Sequence, residues 1–99
     1  MHLLRIKQVT PLTGLVLRLT LTDNTKVERD VSALMTGRVF EALRNDRRLF
    51  ESVRVDDGSV VWPNGADLDP DVLIWGGPPP EDEVRPPKYL KLRLPSRAA

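Results

Sequence analysis

Val60-Val61-Trp62-Pro63-Asn64-Gly65-Ala66-Asp67-Leu68-Asp69-Pro70-Asp71 is the densest run of residues whose identity a backbone dictates. Asn64-Gly65 is a turn pair, because both residue types tolerate positive φ. Downstream, Asp69 reads as an N-cap, Pro70 as the first helical residue, where a missing N–H costs nothing, and Asp71 as an acid near the positive helix end. Val72, Leu73, Ile74 and Trp75 then form a short apolar helix, and Gly76-Gly77 stops it. Upstream, Asp57-Gly58 is a favoured type I′ pair between two alternating segments, Val53 to Asp56 and Ser59 to Trp62. A two-residue loop sets Val55 opposite Val60 and Val53 opposite Trp62, all on one face. Trp62 is therefore expected in the core.

The N-terminal part alternates as well. Leu4 and Ile6 suit a half-buried strand, and Leu15, Leu17, Leu19 and Leu21 place a row of leucines on one face of a second. Asp23-Asn24 turns the chain into a third strand with Val27 and Val31. Two registers are open there: a two-residue loop sets Lys26, Glu28 and Asp30 opposite the leucines, whereas a three-residue loop with a bulge sets Val27 and Val31 there. From Ser32 the period becomes helical through Leu34, Met35, Val39, Phe40 and Leu43, with Ser32 and Thr36 as candidate N-caps and Gly37 dividing a short turn from a helix. Asn45-Asp46 ends that helix and can cap another turn through Leu49 and Phe50.

Ninety-nine residues suffice for one domain with one core. Hydrophobic residues at 40%, charged residues at 29% and a net charge of +1 are ordinary for a soluble globular chain. That balance gives no whole-chain argument for nucleic acid or an anionic membrane. With no cysteine, disulfide frameworks, thiolate metal sites and cysteine nucleophiles are excluded. No long apolar run marks a membrane span or a signal peptide, so a cytoplasmic location is expected.

The segment from Gly76 to Ala99 holds six of the nine prolines and reads as extended. Within it, Tyr89-Leu90-Lys91-Leu92-Arg93-Leu94 alternates strictly, as a strand that pairs with this domain's own sheet or with another chain's. The expected organisation is one α+β domain over residues 1–76, a mainly antiparallel sheet of about five strands with short helices packed on it, and a flexible or partner-ordered Pro-rich tail over residues 77–99.

The order of strands, turn, short helix, Asp-Gly hairpin and Trp62-Pro63-Asn64-Gly65 with Asp67, Pro70 and Asp71 resembles the domain-of-unknown-function 2442 family of small bacterial proteins. Asp30-Val31, Leu34 and the Val39-Phe40 to Leu43 helix agree, so the resemblance covers about residues 3–75. It implies an α+β fold without established catalysis, and an antitoxin-like or regulatory role beside a small toxin-like partner. Some members carry a C-terminal helix-turn-helix, which a Pro-rich tail replaces here, and Lys26 and Glu28 stand where the family favours apolar residues.

The chemistry on offer is sparse. Asp67, Asp69 and Asp71 alternate like the start of a calcium loop, but Val72 and Pro78 occupy the positions where such a loop needs Gly and Glu. Caps and turns account for most of that spacing, leaving Asp67 unexplained. His2 is the sole histidine, no serine has a neighbouring base, and no phosphate-binding or dinucleotide fingerprint occurs, so no enzyme activity and no cofactor are expected. Arg44, Arg47, Arg48 and Arg54 form the nucleic-acid alternative, set against the commoner reading of a solvated helix face. The favoured function is a non-catalytic protein-interaction module whose contacts are Trp75, Tyr89, Leu90, Leu92 and Leu94, and whose partner is a small toxin-like protein or a second copy. The remaining alternative is a metal-binding protein or enzyme using the aspartates.

Overall fold

The computed structural model describes residues 4–82 and 84–93. The N-terminal alternation builds an antiparallel meander of β1 (Ile6–Pro11), β2 (Val16–Leu21) and β3 (Lys26–Asp30). Between β2 and β3 the chain takes the three-residue loop. Leu21 exchanges hydrogen bonds with Asn24 N–H and Thr25 C=O, both at 2.8 Å, and Asn24 sits at φ 70°, a conformation asparagine tolerates. Asp23 Oδ1 accepts the Thr25 N–H at 3.0 Å and fixes the turn. Val27 therefore lies opposite Leu19, and Arg29 lies opposite Leu17. Lys26, Glu28 and Asp30 alternate onto the other face of the sheet.

The helices follow, with different caps. A 3-10 turn (Ser32–Leu34) receives no side-chain cap of its own; instead Asp30 Oδ1 accepts the Ser32 N–H at 2.9 Å. Helix α1 (Arg38–Asn45) starts after Gly37, whose φ of 85° is far from helical and leaves Thr36 outside capping reach. Ser32 and Thr36 are thus not the caps that their spacing indicates. Helix α2 (Arg47–Glu51) is capped by Asp46, as read from the sequence, through the Leu49 N–H at 3.3 Å.

The Asp57-Gly58 turn has both residues at positive φ, 51° and 82°, and joins β4 (Arg54–Asp56) to β5 (Ser59–Val61) with Val55 opposite Val60. Pro63-Asn64-Gly65 is a second tight loop, closed by Trp62 N–H to Ala66 O at 2.9 Å and Gly65 N–H to Trp62 O at 3.1 Å. It returns the chain as β6 (Asp67–Leu68), which pairs with β5. A two-residue strand is too short for periodicity to reveal. With β7 (Tyr89–Lys91), the strands among the described residues number seven in two sheets, ordered β1-β2-β3-β7 and β4-β5-β6, where about five in one sheet were expected.

Helix α3 (Pro70–Trp75) has the predicted ends: Asp69 accepts the Asp71 N–H at 2.9 Å, Pro70 opens the first turn, and Gly76 at φ 78° closes it by donating to Val72 O at 2.8 Å. Both sheets and all three helices contribute to one core that includes Leu17, Leu19, Leu43, Phe50, Val60, Trp62, Leu73 and Ile74. Trp62 is 2% exposed. Its indole N–H donates to Phe50 O at 2.9 Å, and its ring lies 6.0 Å from that of Phe50 at a 30° tilt, so one side chain locks the hairpin sheet onto α2. Trp62→Phe removes the donor and part of the volume, and should destabilise the fold by about 2–4 kcal/mol in urea unfolding, with the slope unchanged.

Candidate interaction surface around a buried arginine and the C-terminal strand

The inward face of β3 carries Val27, Arg29 and, just beyond the strand, Val31, all almost wholly buried. Arg29 is fully buried, at 0% exposure. A charge in that position requires partners for every donor, and a guanidinium has five N–H groups in a planar fork. Each meets a backbone carbonyl. Nε donates to Leu73 O, one terminal nitrogen to Glu28 O and Lys88 O, and the other to Ile74 O and Pro87 O, over 2.5–3.5 Å. Leu73 and Ile74 belong to the last turn of α3, whose carbonyls lack helical partners. Pro87 and Lys88 belong to the segment entering β7. One side chain thus joins the sheet, the helix end and the tail. Burial lowers the guanidinium from the usual arginine value to about 10, which leaves it charged at neutral pH.

β7 pairs with β3 in parallel, Tyr89 beside Glu28 and Lys91 beside Asp30. Glu28 N–H donates to Lys88 O at 2.7 Å and Leu92 N–H to Asp30 O at 2.9 Å. The alternating strand therefore turns the backbone groups of Lys88, Leu90 and Leu92 toward β3, and those of Tyr89 and Lys91 outward. Leu92 is buried, Leu90 is half-buried, and a Cβ placed on Gly76 would lie 3.6 Å from Leu90 Cδ1. Tyr89 is 55% exposed. It borders an open hollow of about 680 Å³ with Pro11, Leu12, Val16, Glu28 and Arg47.

The sequence-predicted residues separate into different roles. Leu90 and Leu92 face the chain's own core, Tyr89 faces outward, Trp75 is half-buried at the end of α3, and Leu94 lies outside the described residues. Of the arginines, Arg44 donates to Met35 O and Ser32 O, which holds the 3-10 turn against α1. Arg47 donates to Leu12 O, Gly14 O and Glu51, and its guanidinium carbon stands 5.1 Å over the Phe50 ring. All four are exposed; Arg44 and Arg47 are in addition fastened to backbone carbonyls, and Arg48 and Arg54 lie on α2 and β4. Asp67 is exposed on β6, Asp69 caps α3 and Asp71 sits in its first turn. Among the described residues no three His, Cys, Asp or Glu side chains gather where a metal ion could be held.

Sequence reasoning missed Arg29. Its spacing with Val27 and Val31 was the available signal, since the three-residue loop puts all three on the leucine face.

Residues 6–79 match the family model described as protein of unknown function (DUF2442). The chain belongs to the DUF2442 family. No curated protein and no solved structure matches it. In this DUF2442 chain the matched region contains Arg29 and both helix carbonyls to which it donates, while Pro87, Lys88 and β7 lie beyond it.

Two consequences can be measured. Arg29→Met keeps the side-chain length but leaves buried carbonyls without donors; it should cost about 3 kcal/mol or more in urea unfolding, and hydrogen exchange at Leu90 and Leu92 should lose protection first. Asp30 titrates in the opposite sense to a destabilising burial: burial raises its carboxyl, but Ser32, Lys91 and Tyr89 together outweigh that and hold it below the model-peptide value of 3.8. Its folded value is depressed, so its contribution is present above the unfolded value and is lost as pH falls through the folded one. Stability should therefore decline on acidification below 3.8, and Asp30→Asn should flatten that part of a chemical-denaturation pH profile.

Proposed function

We propose that this protein is a non-catalytic protein-interaction module, the antitoxin-like or regulatory member of a pair of small bacterial proteins. On this reading it engages a small toxin-like protein, or a second copy of itself, by addition of a strand at β7. The observation that carries the reading is the outward edge of β7, where Tyr89 and Lys91 turn their backbone groups away from β3 beside an exposed Tyr89 ring. An edge of this kind is a template for an extended segment: main-chain hydrogen bonds give affinity, and alternate side chains give specificity. Tyrosine adds a large contact surface with few rotatable bonds and a polar tip.

The edge is also restricted. Pro86 and Pro87 precede it and Lys91 lies on it, devices that keep an edge from pairing indiscriminately. A partner strand is therefore short, and the surrounding side chains select it. The absence of cysteine fits action in a reducing compartment such as the cytoplasm. No helix among the described residues is long and apolar enough to cross a membrane.

Lys91→Pro tests the mechanism, because it deletes one outward N–H and leaves the inward hydrogen bonds of Leu90 and Leu92 in place. Light scattering across a concentration series, together with affinity capture from the native cell extract, should show self-association or one specific small protein for the parent chain. Both should be lost in Lys91→Pro and weakened about tenfold in Tyr89→Ala. Association that persists unchanged in both variants, or a parent chain that captures nothing and stays monomeric, sinks the reading.

A further inference from the structure

Leu4, the β2–β3 turn, the end of α3 and the Pro-rich connection to β7 converge on a second, more enclosed cleft of about 360 Å³. Its apolar surface comes from Leu4, Trp75, Pro79, Pro80 and Val84. Among the described residues its charged side chains are Asp23, Glu81 and Asp82 against Arg85, an excess of carboxylate over guanidinium. Arg85 acts on the Asp23 carboxyl, which is held below its ordinary value mainly by the Thr25 N–H and to a lesser degree by that cation. Glu81 and Asp82 add further negative charge to the rim.

We infer that this cleft binds a cationic, apolar-flanked peptide segment of a partner protein, with a Lys or Arg side chain of the peptide laid on the Trp75 indole and directed toward Glu81 and Asp82. Tryptophan is the best aromatic face for a cation, and an apolar surround strengthens that attraction. Prolines at 79, 80 and 86, whose rings fix φ, line the cleft, and Trp75 ends a helix whose last carbonyls are clamped by Arg29, which reduces the ordering that opposes binding. Val84, 54% exposed on the rim, supplies a contact for the apolar residue flanking the cation. The acidic rim disfavours a phosphate backbone in the same place.

The cleft contains no residue of β7, so this inference stands apart from strand addition, and Lys91→Pro should leave it intact. The test uses the full chain, uniformly labelled with 15N, and an acetylated, amidated hexapeptide alternating Lys and Leu. The readout is the indole N–H resonance of Trp75, with that of Trp62, hydrogen-bonded to Phe50 O, as internal reference. The expected result is a saturable shift of Trp75 alone, with a Kd between about 10 μM and 1 mM. Affinity should fall about tenfold in the Glu81→Lys, Asp82→Lys double variant and decline with added salt. An unchanged Trp62 resonance in that variant shows that the fold is kept. An equal response to the Glu and Leu counterpart peptide, affinity unaltered in the double variant, or a Trp75 resonance that does not move at about 2 mM peptide would each overturn it. So would a concentration-dependent Trp75 shift without any peptide, which would assign the cleft to a second copy of the chain.

Discussion

The fold turns on a charge placed where a leucine would be expected. Arg29 projects from the middle of β3 into the core opposite Leu17, and a buried guanidinium without partners costs several kcal/mol. Five carbonyls remove that cost here, one of which, Lys88 O, also accepts the Glu28 N–H. The final turn of a helix leaves carbonyls unpaired, and its partial negative charge favours a cation. The tail entering β7 has prolines and extended backbone, which cannot satisfy its own carbonyls. A planar fork of five donors meets these directions at once; lysine, with three donors on a point charge, cannot.

The two candidate surfaces follow from that clamp. By fixing Leu73 and Ile74, Arg29 sets the end of α3 and so the position of Trp75 in the cleft. By holding Pro87 and Lys88, it guides the chain alongside β3, where Leu92 buries and Tyr89 stays exposed. Both surfaces are extensions of one buried network, which explains how a chain with few apolar side chains after Trp75 nevertheless presents shaped surfaces there.

Much of the fold was legible because its turns carry their own chemistry. Asp57-Gly58, Asn64-Gly65, Asp46 and Asp69-Pro70 with Gly76 each do locally what their residue types favour. The leucine row declared the buried face of β2. Other features depend on contacts between distant segments and leave no local trace. Thr36 looked like a cap, but the positive φ of Gly37 moved the helix start past it. β6 is paired through two residues, too few for a period. Arg44 and Arg47 are exposed, as a solvated helix face requires, but nothing nearby in sequence discloses that Met35, Leu12 and Gly14 offer them carbonyls. Arg29 was hidden by the same blindness: a charged residue in an alternating strand is assigned outward until the register says otherwise.

The boundary of the family match makes the arrangement more informative. Residues 6–79 include Arg29 and the helix carbonyls that take two of its five donors, with a third on Glu28 of the same strand. The other two donors go to Pro87 and Lys88, beyond that boundary. The matched region by itself therefore leaves part of a buried guanidinium facing the open side of β3, together with the unpaired edge of that strand. A segment with free carbonyls and alternating leucines satisfies both at once, and Lys88 to Leu92 is such a segment. The tail does not create the demand it answers. It fills a vacancy inherent in the α+β unit, and by filling it moves the exposed edge outward by one strand, from β3 to Tyr89 and Lys91.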